Sequence, residues 1–148
     1  MTLPTTFLPI TTAIRDTLKG GLLLTDGPVV RGRRLVLEKR FKAGIAVNSI
    51  RHVAQVLSID GQDFQWETTV VVAVYVRATQ DEDAEEALDP YIAAVWARLA
   101  GMTPPAGATS VTLDPAIGID LDEADQTVAV ASLQLRVTHI TTGGVLAA

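Results

Sequence analysis

The chain has 148 residues, 48% of them hydrophobic and 20% charged, with a net charge of −5; this suits one domain with a sizeable core and is too apolar for a disordered chain. No run reaches the roughly 18 uninterrupted apolar residues of a membrane span, and the acidic balance argues against nonspecific nucleic-acid binding by the surface as a whole. Cysteine is absent, which excludes disulfides, thiolate nucleophiles and cysteine-built metal sites, and two histidines leave little for metal catalysis.

Met1 to Pro9 offers neither a basic start nor a small-residue cleavage site, so a soluble, unprocessed protein is expected. Phe7, Ile10, Ile14 and Leu18 recur at helical spacing and predict a short helix over Leu8 to Lys19, with Pro9 in its first turn and Gly20-Gly21 as its stop. Leu22-Leu23-Leu24 leads to a turn at Thr25-Asp26-Gly27-Pro28. Val29 to Phe41 then reads as a strand or an irregular edge, with Leu35, Val36 and Leu37 at its centre. Gly44 to Ile59 and Phe64 to Ala78 are β-rich runs around the hairpin signal Asp60-Gly61-Gln62-Asp63. In the second run Phe64, Trp66, Val70, Val72, Val74 and Val76 share one face, which is core. The other face mixes Gln65, Glu67, Thr69, Tyr75 and Arg77 with Val71 and Ala73, as a face does when another element or another subunit partly covers it.

The acidic run Asp81-Glu82-Asp83-Ala84-Glu85-Glu86 announces a second helix, since carboxylates complement a helix N-terminus. Leu88, Ile92, Val95, Trp96 and Leu99 form its apolar stripe, Arg98 lies near its end and Gly101 stops it. Pro90 leaves two readings: a helix capped by Asp89 and beginning at Pro90, or one that starts in the acidic run and kinks at Pro90. Met102 to Gln126 reads as loop with short strands around Ser110 to Leu113 and Ile117 to Leu121, followed by a long strand, Thr127 to Ile140. There Val128 and Val130 fall on one parity and Leu133, Leu135 and Val137 on the other, so a bulge near Ala131 and Ser132 is expected. The tail 141–148 is expected to be mobile unless a partner orders it.

The sequence carries few residues arranged for chemistry. Gly27 and Gly32 have the spacing of a phosphate loop, but no Lys-Ser/Thr pair follows and Pro28 removes an amide donor; a turn into a basic strand is the better reading. Asp120-Leu121-Asp122-Glu123-Ala124-Asp125 begins like a calcium loop, yet Asp125 stands where glycine is needed and Ala131 where the closing glutamate is needed, which leaves an acidic solvated turn. His52 and His139 lie in β-rich runs with no nucleophile elbow and no paired-histidine zinc motif, so each reads as a structural strand residue.

The remaining signal is charge. Residues 1–51 carry nine basic and three acidic side chains, +6, and residues 52–148 carry three basic and fourteen acidic ones, −11. Such halves either neutralise each other within the domain or join copies head to tail, a heterologous contact that builds rings or filaments. The candidate interface residues are the basic Arg31, Arg33, Arg34, Lys39, Arg40 and Lys42 and the acidic Asp81, Glu82, Asp83, Glu85 and Glu86. Phe41 is the only aromatic in the basic segment, where a DNA-contacting patch usually adds aromatic or amide side chains. Contact with DNA, contact with an acidic protein surface such as another copy's Asp81 to Glu86 segment, and a solvated edge strand guarded by its charges are the three readings.

A short helix like Leu8 to Lys19, a strand like Gly44-Ile45-Ala46-Val47, a second strand like Trp66 to Val76, an acidic-started helix like Asp83 to Leu99 and a closing strand like Val128 to Thr138 follow one another in an order that resembles the tail terminator (minor tail) proteins of long-tailed bacteriophages, the lambda type in particular. The resemblance spans Leu8 to Ile140; the basic segment Val29 to Lys42 departs from it. It implies an α+β fold in a single domain, a mostly antiparallel sheet flanked by two helices. It further implies a non-enzymatic structural protein without a cofactor, a homo-oligomeric ring of six copies that ends tail-tube polymerisation at the head-proximal end. The implied partners are the tail tube protein and the neck or head-completion protein, with DNA passing through any lumen and no membrane involved. The implied location is the virion tail or neck, after assembly in the host bacterial cytoplasm. Another head–tail connector or a tube subunit is the alternative, ahead of a small nucleotide-binding enzyme.

Overall fold

The computed structural model describes residues 5–19, 27–32, 34–105, 107–122, 125 and 127–146. Its elements in chain order are α1 (Phe7–Leu18), β1 (Val29–Arg31), β2 (Ala43–Val56), β3 (Phe64–Arg77), α2 (Ala84–Ala100), β4 (Ala108–Leu121) and β5 (Val128–Thr141). The strands form one sheet in the order β1-β2-β3-β5-β4, antiparallel except for the short parallel pair β1–β2. Both helices lie on one face, giving the α+β fold expected from the sequence. No helix among the described residues is long and apolar enough to cross a membrane.

Helix α1 buries Ile10, Ile14 and Leu18 completely, as its periodicity requires, and Thr11 beside them. Its C-terminal carbonyls find a cation: Arg98 donates to the carbonyls of Thr17 at 3.1 Å and Lys19 at 3.4 Å, which also docks α1 on α2. The glycine stop at Gly20-Gly21 and the residues Leu22 to Asp26 lie outside the described residues.

Helix α2 runs unbroken through Pro90 and is capped by Asp83, whose carboxylate accepts the Glu86 amide at 2.9 Å. The cap is therefore Asp83 and not Asp89. Asp89 and Pro90 lie on the exposed side, so the amide that proline lacks is missed at the surface and not in the core. Ala87, Leu88, Tyr91, Val95 and Leu99 bury completely or nearly so, while Ile92 and Trp96, expected in the stripe, pack only partly against the core.

The helix-covered face of the sheet is almost wholly apolar: Ile45 and Val47 from β2, Val70 to Val76 at alternate positions of β3, and Ala129 to Val137 at alternate positions of β5. The hairpin β2–β3 turns where expected, with Gly61 at φ +74°. A bulge at Ile50, between the paired positions Ser49 and Arg51, restores the inward face for His52.

Two elements differ from the sequence expectation. β5 contains no bulge: its register with β3 is unbroken from Thr141 opposite Phe64 to Val128 opposite Arg77. Both parities of its first half are apolar because both faces are covered there, Val128 and Val130 belonging to a second, smaller core. The stretch after Met102 holds one long strand, β4, in place of two short ones. Its two paired halves are the expected segments, joined through an irregularity between Leu113 and Ile117 that takes up Asp114-Pro115-Ala116.

That second core lies on the face without helices. Leu37 is buried over Ala46, Ala73, Tyr75 and Val128, with Val30, Leu35, Phe41 and Val130 around it. Gly44 makes this approach possible, because a Cβ there would stand 2.6 Å from Leu35 and 3.2 Å from Leu37. The irregular segment Arg34 to Lys42 thus serves as a lid over one end of the sheet, and no described segment covers the other end of that face.

Candidate functional site

The basic candidates follow the path of this lid. Arg31 ends β1 and is exposed; Arg33 lies outside the described residues. Arg34 reaches Asp122 at 3.4 Å, and Leu35 donates its amide to the Tyr75 hydroxyl at 3.4 Å. Lys39 and Arg40 occupy an exposed turn, where Arg40 pairs with Glu38 at 2.7 Å and lies over the Phe41 ring. Lys42 forms an ion pair with Glu82.

The acidic candidates sit at the same end of the sheet, because β2 begins where β3 ends: Arg77 donates its amide to the Lys42 carbonyl at 2.8 Å. Glu82 accepts from Lys42 and from the Thr79 amide at 3.1 Å, and these bonds hold its carboxyl below the usual glutamate range. Asp83 is occupied as the helix cap, Glu85 and Glu86 are exposed in the first turn of α2, and Asp81 is exposed ahead of it. The oppositely charged halves therefore meet inside the chain, at Lys42–Glu82 and at Arg34–Asp122.

Arg77 was not among the sequence candidates, yet it holds this end together. One guanidinium nitrogen donates to Asp125 at 2.6 Å and to the Thr127 hydroxyl at 3.1 Å; the other donates to the Leu37 carbonyl at 2.9 Å, fastening the lid at its most buried residue. The Thr127 hydroxyl first, then Arg77, hold the Asp125 carboxyl down at about 2. A single arginine closing a run of valines was the only trace in the sequence. Asp122 and Asp125 are thus engaged with Arg34 and Arg77, and no group of three or more metal-ligand side chains exists among the described residues. The glycine pair of the phosphate-loop spacing brackets strand β1, with Pro28 accepting the Ile45 amide at 2.8 Å, so that segment is sheet margin and not an anion cradle.

At the opposite end the two histidines, separated by 87 positions in sequence, join one buried chain. Thr6 Oγ1 lies 3.0 Å from His139 Nδ1, His139 Nε2 lies 2.9 Å from Thr68 Oγ1, and Thr68 Oγ1 lies 2.8 Å from His52 Nδ1. Phe7 stacks on His52 at 4.0 Å and meets Trp66 and His139 edge-on. The Trp66 indole donates to Thr141 at 2.9 Å. His139 is fully buried; burial lowers both imidazoles below their ordinary 6.5, and in His139 repulsion from His52 adds to it. The polar gap at Thr68 in the inward face of β3 was the available signal. The tail, expected to be mobile, also bonds here: Gly144 donates to the Gln62 carbonyl and Thr6 to the Leu146 carbonyl, both at 2.9 Å.

The open end of the uncovered face carries Arg51, Gln55, Gln65, Glu67, Thr69 and Thr138 around a shallow depression of about 280 Å³. Its side chains suit hydrogen bonding to another surface better than enclosure of a small molecule. Compared with known proteins, the chain matches no protein-family model and no curated protein sequence.

Proposed function

We propose that the protein is a structural subunit of a long-tailed bacteriophage tail, a terminator that assembles as a ring of six copies at the head-proximal end of the tube, stops its polymerisation and presents a surface to the neck. The role is non-enzymatic and needs no cofactor. One observation carries the reading: α1, the long hairpin β2–β3, the acid-capped α2 directly after β3 and the closing β5 follow one another in the order that motivated the resemblance. A sheet with helices on one face and a half-bare polar second face is also a shape that leaves surface for neighbouring copies.

Negative-stain electron microscopy of the purified protein, alone and mixed with its tail tube, tests it. Closed rings and capped tubes are expected. Long cylinders formed by the protein alone would make it a tube subunit instead, and a strict monomer in both preparations would overturn the reading.

A further inference from the structure

The sheet has two unlike margins, and each carries exposed apolar side chains beside charges of one sign that form no ion pair among the described residues. On the first margin β1 covers β2 from Ile45 to Val47, and beyond it, from Asn48 to Val56, no described strand pairs with the outer side of β2, which bears exposed Ile50, Val53 and Val56. The basic residues here, Arg31 and Arg51, are exposed and form no ion pair among the described residues. On the far margin no described strand pairs with the outer side of β4, which bears exposed Ile117, Ile119 and Leu121. Its own charges, Asp114 and Asp120, form no ion pair among the described residues and receive local backbone amides from Ala116 and Leu121; the one described cation beside them, Arg34, is paired with Asp122.

We infer that the β1–β2 margin of one copy docks on the β4 margin of the next, and this rests on the ring reading above. Pairing a margin with its own kind would set arginine against arginine or aspartate against aspartate, whereas pairing unlike margins brings apolar residues together and opposes the charges. Because three antiparallel pairings separate β2 from β4, the two strands run in opposite directions. A copy rotated about an axis along the strands therefore presents its β2 antiparallel to the neighbour's β4, the arrangement in which sheets extend most readily. Pro115 removes an amide only at the irregularity, and no proline interrupts Ile117 to Leu121, where the Leu121 amide is held by Asp120. Unlike margins make a heterologous contact, which closes into a ring or runs on as a filament.

Charge reversal of each margin, read by native mass spectrometry and sedimentation of the full chain, decides it. The double variant Arg31→Glu, Arg51→Glu and the double variant Asp114→Arg, Asp120→Arg are each expected to raise the concentration at half-assembly about tenfold or more. The fourfold variant, in which both margins are reversed and again complementary, is expected to return within about threefold of the original. Ile119→Lys, which places a charge in the apolar patch of an exposed strand, is expected to weaken assembly like the reversals. Rings that survive the reversals, or that are lost and not regained in the fourfold variant, would overturn the margin pairing and leave the ring reading standing. An original chain that stays monomeric at high micromolar concentration, alone and with the tube, would overturn both.

Discussion

The two ends of strand β3 are secured in opposite ways. At its C-terminal end Arg77 gathers Asp125, Thr127 and the Leu37 carbonyl while Lys42 and Glu82 pair nearby, all close to water. At its N-terminal end Thr68 links two neutral imidazoles under Phe7, out of contact with water at His139. The difference follows from dielectric: ions are tolerated where solvent shares their charge, and a buried polar cluster is stable when it is neutral and every partner is met. It also gives the ends separate tasks. The ionic end holds down an irregular lid, and the neutral end joins the start of α1 to the hairpin and to β5.

Removing the centre of the neutral chain should have the largest effect. His139→Ala leaves a cavity and an unpaired Thr6 hydroxyl, with Thr68 held by His52 alone, and should cost about 2 to 4 kcal/mol in urea unfolding, with Trp66 fluorescence reporting the loss. At the other end Arg77→Ala strands the Leu37 carbonyl and releases Asp125, for about 1 to 3 kcal/mol. Its sharper signature is local: trypsin should cut at Arg34, Lys39 or Arg40 much faster while the Trp66 signal holds. Equal loss of protection at both ends would break the comparison.

Acid should separate the ends without mutation. Burial lowers both histidines, so the folded chain binds fewer protons than the unfolded one; their contribution is full above pH 6.5 and is lost as pH falls below it. Asp125, held at about 2 against an ordinary 3.8, keeps its contribution down to about pH 4 and loses it between there and about 2. Trp66 fluorescence should therefore respond to acid before the lid becomes sensitive to an acid protease. The reverse order would refute the assignment. The smallest effect is expected from Lys42→Gln, which removes a solvent-exposed ion pair and should leave the urea midpoint and the rate of trypsin cutting at Arg34, Lys39 and Arg40 unchanged.

Periodicity and punctuation revealed much of this fold. The i, i+3, i+4 apolar spacing located α1, the Asp60-Gly61 signal located the hairpin, and alternation in β3 assigned its core face correctly. The same reasoning went astray where it assumed a strand has one buried face: Val128 and Val130 looked out of phase only because the lid over them was invisible. The charged candidates were legible as two clusters of opposite sign. That Lys42 and Glu82 would meet depended on β2 starting beside the end of β3, which no local pattern encodes. His52 and His139 were each read singly as structural strand residues, and the thread between them runs through Thr68.

The amino-acid sequence by itself determined the elements and their inward faces, because helix and strand periods, caps and turn residues act within a few positions of one another. Only the tertiary structure decided the strand order, the folding of the basic segment over the second face, the joining of two distant histidines and which two strands stand at the margins of the sheet. Those features arise from contacts between residues tens of positions apart, whose energies exist only once the sheet has brought them together.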